Sequence, residues 1–298
     1  MLSPIKFIKK KRDKVVLLEK LNIESRENDS VNQEQWNVIN KKFPYLYPNV
    51  EDPNFVEKIS IKKEFNDTKY DGAIYDVTNH AEKICNKKFE LAPHQQFVKN
   101  FLSQETPYNS LLLYHGLGSG KTCTAIGVAE EMRNYMKQIG TNKSIIVVAS
   151  PNVQENFKLQ LFDESKLELI DGLWNIKNCV GNVFLNEINP MKSKNISKEK
   201  VISDMQKIIN RHYSFYGYTE FANLIIKNSN IDNNIVKNRE KYIKKRLNQI
   251  YSGRLIIIDE VHNIRISDDN KDKRVAQQLF RLVNDVDSLR LLLLSATP

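Results

Sequence analysis

Four short clusters in this chain have the residue types needed for phosphate chemistry. "HGLGSGKT", His115 to Thr122, departs from the pattern G-x-x-x-x-G-K-[ST] at its first position, where His115 stands in place of glycine. The residues that would touch a nucleotide remain. Gly116, Gly118, Ser119 and Gly120 would let backbone N–H groups close around phosphate oxygens, Lys121 would neutralise the β and γ charge, and Thr122 would reach Mg²⁺. "DEVH" offers two carboxylates, Asp259 to hold the magnesium shell and Glu260 to orient or deprotonate an attacking water. "SPN" (Ser150, Pro151, Asn152) and "SATP" (Ser295 to Pro298) complete the set.

Each cluster directly follows a short, continuously apolar run: "LLLY" (111–114), "SIIVVA" (144–149), "LIII" (255–258) and "LLLL" (291–294). Continuous rather than alternating hydrophobicity is how strands buried on both faces read, so the expected fold class is α/β with a mostly parallel central sheet and helices on both faces. Ligands of such sheets bind at the carboxyl ends of the strands, which would gather the four clusters on one rim. After the glycine-rich loop, Ala125, Val128, Ala129, Met132, Tyr135, Met136 and Ile139 recur at helical spacing until Gly140 provides a stop.

These motifs resemble motifs I, II and III of superfamily 2 helicases and translocases, whose motif I does not demand the first glycine. The resemblance implies a RecA-like P-loop lobe that uses ATP and Mg²⁺. It extends to "LAPHQQ" (91–96), similar to the family's Q motif, in which a glutamine reads the adenine edge; Gln95 aligns best and Gln96 is the rival. "VVASPNVQENFKLQL" resembles motif Ia and "YGYTEF" motif Ib, which implies nucleic-acid contacts from Ser150, Pro151, Asn152 and Thr219. By the same resemblance His262, Ser295 and Thr297 are expected to couple the ATP and nucleic-acid sites. A closer similarity, to the ATPases of large nucleocytoplasmic DNA viruses such as the poxvirus early transcription factor small subunit and nucleoside triphosphatase I, rests on "SLLLYHGLGSGKTCTAIGVAE", "YGYTEFANLI" and "LIIIDEVHNIR". It implies a place in viral transcription, with DNA favoured over RNA as polynucleotide.

The 298 residues, 41% hydrophobic, suffice for a sizeable core. No apolar run reaches the ~18 residues of a membrane span, and "MLSPIKFIKKKRDK" places charge where a signal peptide is apolar. The expectation is an intracellular protein, in the cytoplasm at a virus factory or in the virion, neither secreted nor membrane-bound. Cys85, Cys123 and Cys179, odd in number and far apart, suit reduced thiols better than a disulfide framework.

The net charge of +9 is concentrated: residues 191–254 hold fourteen Lys/Arg against five Asp/Glu. Within it, Lys244, Lys245 and Arg246 are candidates for tracking a phosphate backbone, the alternative being a solvated helix face. We divide the chain into an N-terminal extension (1–86) and a RecA-like lobe (87–298) bearing a basic helical insertion at about 186–253. The family places a second lobe with an arginine finger beyond motif III, and this chain stops at Pro298. The expectation is half of an ATP site, completed by a second lobe in cis or in trans, with little turnover alone. The rival readings are an RNA helicase lobe and a non-catalytic binding module.

Overall fold

The computed structural model describes residues 46–70, 72, 76, 90–116, 118–230, 239–264 and 273–296. Two compact units are distinguished, residues 1–69 with 105–107, and residues 70–104 with 108–298. In the first, two short helices, α1 (Phe55–Ser60) and α2 (Lys63–Asn66), bury Ile59 and Phe65. The Tyr47 hydroxyl donates to the Glu64 carboxylate, and the Lys62 ammonium lies 5.4 Å from the Tyr47 ring centroid.

The second unit is built on five parallel strands: β1 (Ser110–Tyr114), β2 (Ile145–Val148), β5 (Tyr213–Tyr216), β6 (Leu255–Ile258) and β7 (Arg290–Ser295). Their order is β1-β7-β6-β2-β5, with Ser110 opposite Leu291, Ile256 opposite Leu291 and Ile146, and Val148 opposite Tyr216. All four apolar runs of the sequence are therefore strands, and the sheet is α/β as expected. Ile145 to Val148 and Leu255 to Ile258 are each at most 1% exposed, which is why these strands carry no polar alternation.

Helices α3 (Pro93–Phe101), α4 (Lys121–Gln138), α5 (Pro151–Leu161), α6 (Val183–Ile188), α7 (Lys198–His212), α8 (Tyr218–Ser229), α9 (Arg239–Tyr251) and α10 (Lys273–Asp285) accompany the sheet. One face is sealed by Phe221 and Ile225 of α8, Ile243, Leu247 and Tyr251 of α9 and Leu282 of α10, packed on Ile146, Val148, Ile256 and Ile258. Helix α4, which carries the glycine-rich loop at its start, packs against β6 and α5. It stops where Gly140 adopts φ 70°, as its sequence predicts.

Arg133 of α4 has no exposed side-chain surface and bridges Glu130 at 2.7 Å and Glu187 of α6 at 2.8 Å. Glu130 also accepts from the Tyr213 hydroxyl at 2.5 Å, so one buried cluster ties α4 to α6 and β5. Removing one member would leave an uncompensated buried charge, which costs about 3–5 kcal/mol.

The segment read as a basic insertion is woven into this architecture. It supplies β5 at the edge of the sheet and, through α8 and α9, much of one core face. A separate antiparallel hairpin, β3 (Leu167–Ile170) and β4 (Leu173–Ile176), turns at Asp171 and Gly172, both at positive φ. The loop after this hairpin overturns the expectation of free thiols. Cys123 and Cys179 are joined by a disulfide, with Cα atoms 5.2 Å apart across a sequence separation of 56. Chain spacing gave no sign of this pairing because the hairpin's exit folds back onto the first turn of α4. Cys85 lies outside the described residues.

Candidate ATP site at the strand ends

The glycine-rich loop leaves β1 and enters α4 through Gly118 and Gly120, at φ 79° and 78°. Those two positions need glycine. His115 is not in the left-handed region, so a Cβ is tolerated there, and its work is done by backbone: its N–H donates to Ser295 O at 3.2 Å and its carbonyl accepts from Lys121 Nζ at 2.9 Å. The imidazole of His115 sits edge-on to His94, ring centroids 5.6 Å apart, and burial followed by the charges of His94 and Lys121 pushes its pKa down. Lys121 Nζ also donates to Gly116 O at 3.2 Å. The ammonium is thus held by loop carbonyls that phosphate oxygens would replace. Ser119 Oγ donates to Gly116 O at 2.8 Å, and Thr122 is half-buried in the first turn of α4.

Gln95 braces this loop from α3. Its Nε2 donates to Gly120 O at 3.2 Å while its Oε1 accepts from Ala92 N at 2.9 Å. Gln96, the rival for the base-reading role, donates to Asn100 Oδ1 instead. His94 completes the brace. The Tyr70 hydroxyl lies 2.6 Å from its Nδ1, and its Nε2 lies 3.3 Å from Ser119 O.

Asp259 and Glu260 follow β6 directly. Asp259 is 6% exposed and its carboxyl pKa is raised, chiefly by burial, against the opposing hydrogen bond from Glu260 N, which reaches Oδ1 at 2.8 Å. Glu260 holds φ 48°, a left-handed backbone that costs a side-chain-bearing residue about 1–2 kcal/mol. Its Oε2 is buried, makes no hydrogen bond among the described residues, and lies 3.2 Å from His262 Nδ1. The same His262 nitrogen is 3.2 Å from Ser295 Oγ at the end of β7. The ends of β1, β6 and β7 are therefore linked through His115, Ser295, His262 and Glu260. Thr297, the third residue expected to couple the sites, lies outside the described residues.

The residues expected to meet nucleic acid are only partly gathered. Ser150, Pro151 and Asn152 open α5 at the end of β2, and Thr219 is exposed in the first turn of α8 at the end of β5. Ala149 N donates to Tyr216 O at 3.1 Å, so these two segments leave adjacent strands side by side. Lys244, Lys245 and Arg246 lie elsewhere, on the exposed face of α9, where Arg246 Nη1 donates to Asn230 O at 2.9 Å. Tyr218, read from the sequence only as an aromatic of the motif Ib segment, reaches the ATP-motif turn. Its hydroxyl donates to Asp259 O at 2.8 Å. An aromatic beside a glycine-led helix start carried no signal of its own for that role.

The sequence profile of the family described as type III restriction enzyme, res subunit, matches residues 88–298. The chain belongs to that family. Among its relatives is a protein of Acanthamoeba polyphaga mimivirus, provisionally named ATP-dependent RNA helicase R563, 31% identical over 260 residues that cover 85% of this chain and 36% of the relative. A provisionally named helicase 087L of Invertebrate iridescent virus 3 is 26% identical over 85% of this chain and 22% of its own length. An early transcription factor large subunit homolog of African swine fever virus is 22% identical over 85% of this chain and 28% of its own length. The superfamily 2 resemblance and the link to large DNA viruses are borne out. The chain spans between about a fifth and a little over a third of the length of these relatives. Among the described residues no helix is long and apolar enough to cross a membrane.

The residues at the strand ends fit Mg·ATP. Two left-handed glycines leave the loop backbone open at Gly118 and Gly120, a lysine is held by loop carbonyls, and the Asp259 and Glu260 carboxylates follow β6 directly, Asp259 buried.

Proposed function

We propose that this chain is the ATP-binding lobe of a nucleic-acid-dependent ATPase of the helicase and translocase type, acting in viral transcription. One observation carries the reading: the glycine-rich loop, the Asp259–Glu260 pair and Ser295 meet at three neighbouring strand ends through the His115–Ser295 and His262–Ser295 contacts. Hydrolysis of ATP to ADP and phosphate by in-line attack of water requires such a meeting of phosphate clamp and base.

In this reading the backbone N–H groups from Gly116 to Lys121 cradle the phosphates, and Lys121 balances their charge. Thr122 and Asp259 would hold Mg²⁺, which would supply further neutralisation of the phosphate charge. Glu260 orients the attacking water and takes its proton, its carboxylate being held 3.2 Å from His262 Nδ1. Gln95 keeps the base-side segment of α3 fixed to the loop. His262 and Ser295 link the carboxylate to the loop, and a second RecA-like lobe, in cis or in trans, supplies an arginine to the transition state. Such an arginine is worth ~10³ to 10⁵ in rate in related phosphoryl transfers.

The polynucleotide we favour is DNA, in keeping with the transcription-factor homolog among the relatives. The relatives named for RNA helicases make RNA the rival. Mg·ATP binding and ATPase of the chain, alone and with a second lobe supplied, should be measured with single-stranded DNA, duplex DNA and RNA. Lys121→Ala is expected to weaken nucleotide binding and remove turnover. Binding indifferent to that substitution would sink the site, and stimulation by RNA alone would reassign the polynucleotide.

A further inference from the structure

Tyr218 stands at the first residue of α8, between the exposed Thr219 and the strand β5. Its ring packs against the core cluster that includes Ile258 and Ile264, and its hydroxyl crosses 41 positions of sequence to donate to Asp259 O at 2.8 Å. Asn263 Nδ2 approaches the same hydroxyl at 3.5 Å, so one phenol spans the turn from Asp259 to Asn263. The peptide between Asp259 and Glu260 is then fixed from both sides. Its carbonyl is taken by Tyr218, and its N–H by the Asp259 carboxylate at 2.8 Å.

That fixation matters because the next residue has an unfavourable backbone. Glu260 sits at φ 48°, and its carboxylate can face the reacting water only while this turn is held. The strand-end hydrogen bond of Asp259 N to Val148 O holds the strand and leaves the following peptide free to rotate. A phenol is suited to the task. It is rigid, its hydroxyl is a donor at neutral pH, and burial, ahead of the nearby Asp259 and Glu260 charges, raises its pKa further.

We propose that Tyr218 is a positioning residue for ATP hydrolysis, clamping the Asp259–Glu260 peptide so that Glu260 faces its water, and tying that clamp to the segment that presents Thr219. The inference rests on the ATPase reading above. Because Tyr218 and Thr219 are consecutive, a polynucleotide that shifts the start of α8 shifts the clamp on Glu260.

The test is Tyr218→Phe, which keeps the ring and removes the hydroxyl. With a second lobe supplied, kcat should fall about tenfold while KM and the Kd for Mg·ATP stay within about twofold, the scale of one buried hydrogen bond acting only on orientation. In the 298-residue chain itself, amide exchange at Glu260 should quicken about fivefold or more, while Asp259 N–H, bonded to Val148 O, exchanges as before. Unchanged kcat together with unchanged exchange at Glu260 overturns the proposal. So does faster exchange throughout Leu255 to Ile258, which would make Tyr218 a core residue and nothing more. Glu260→Gln, assayed alongside, separates the two levels. Undiminished turnover in that variant sinks the hydrolytic assignment itself, whereas a dead Glu260→Gln beside a fully active Tyr218→Phe sinks only the clamp.

Discussion

Gln95 Nε2 donates to Gly120 O at 3.2 Å, and a Cβ built on Gly120 would stand 2.5 Å from that same nitrogen. The glutamine thus fills the space that any larger residue at 120 would need. Gly118 has an almost identical φ, yet a Cβ there meets nothing within 4 Å. Gly120→Ala should therefore weaken Mg·ATP binding more than Gly118→Ala, both sharing a backbone cost of about 1–2 kcal/mol. Combining Gly120→Ala with Gln95→Ala should recover part of the loss. Isothermal titration of the four proteins decides it, and equal losses at the two glycines would show that Gln95 does not shape the loop.

Glu260→Gln preserves shape but cannot accept the water's proton. With a second lobe supplied, turnover should fall at least ~10²-fold while Mg·ATP affinity is kept. Steady-state ATPase beside a binding titration checks this. Weakened binding with intact turnover would move the base elsewhere and give Glu260 a structural part.

Replacing Lys244, Lys245 and Arg246 together by Gln tests whether the exposed face of α9 follows a phosphate backbone. Binding should weaken about equally for all sequences, and the slope of log affinity against log salt should become shallower by ~0.7 to 0.9 for each phosphate no longer neutralised. A slope equal to that of the unmodified chain makes the face a solvated one, and nucleic-acid binding then rests on Ser150 to Asn152 and Thr219.

The Cys123–Cys179 disulfide closes a long loop onto the first turn of the phosphate-loop helix. Alkylation in denaturant without reductant should label one of the three cysteines, and after reduction all three. Loop-closure entropy sets the stability lost on reduction at about 4 kcal/mol, read as a lower midpoint of denaturant unfolding. Three labels without reduction would show that the thiols stay free.

Strands β2 and β6 were legible because their burial is complete, whereas β1, equally apolar in sequence, lies at the sheet edge with Leu112 and Tyr114 exposed. Leu255 to Ile258 have no solvent face, so composition alone marks them. Strand β5 was harder to see. Tyr213 to Tyr216 mixes serine with aromatic residues at an edge of the sheet, where only Tyr213 is buried. The β3–β4 hairpin is four residues a side with exposed Leu169 and Ile170, too short and too open to leave a period. Pairings that depend on the chain returning to itself, such as Tyr218 on Asp259 or Cys123 on Cys179, have no local pattern at all. The residues proposed to hold ATP can be picked out in the sequence because their chemistry is carried by motif neighbours rather than by distant ones.

The order of the sheet sets a schedule for synthesis. β7, the last of the five strands to be made, lies between β1 and β6, and it pairs Ser110 with Leu291. A nascent chain that has emerged as far as α10 has the strands to pair β2 with β5 and β6, but its phosphate-loop strand has no neighbour to join. Closing so long a loop is entropically costly and is repaid only when β7 arrives. The glycine-rich loop is then completed in a single late step, when Ser295 reaches the N–H of His115. Until that step the ribosome-bound chain has an apolar β1 with both edges unpaired, the state in which a chaperone would find the most to hold.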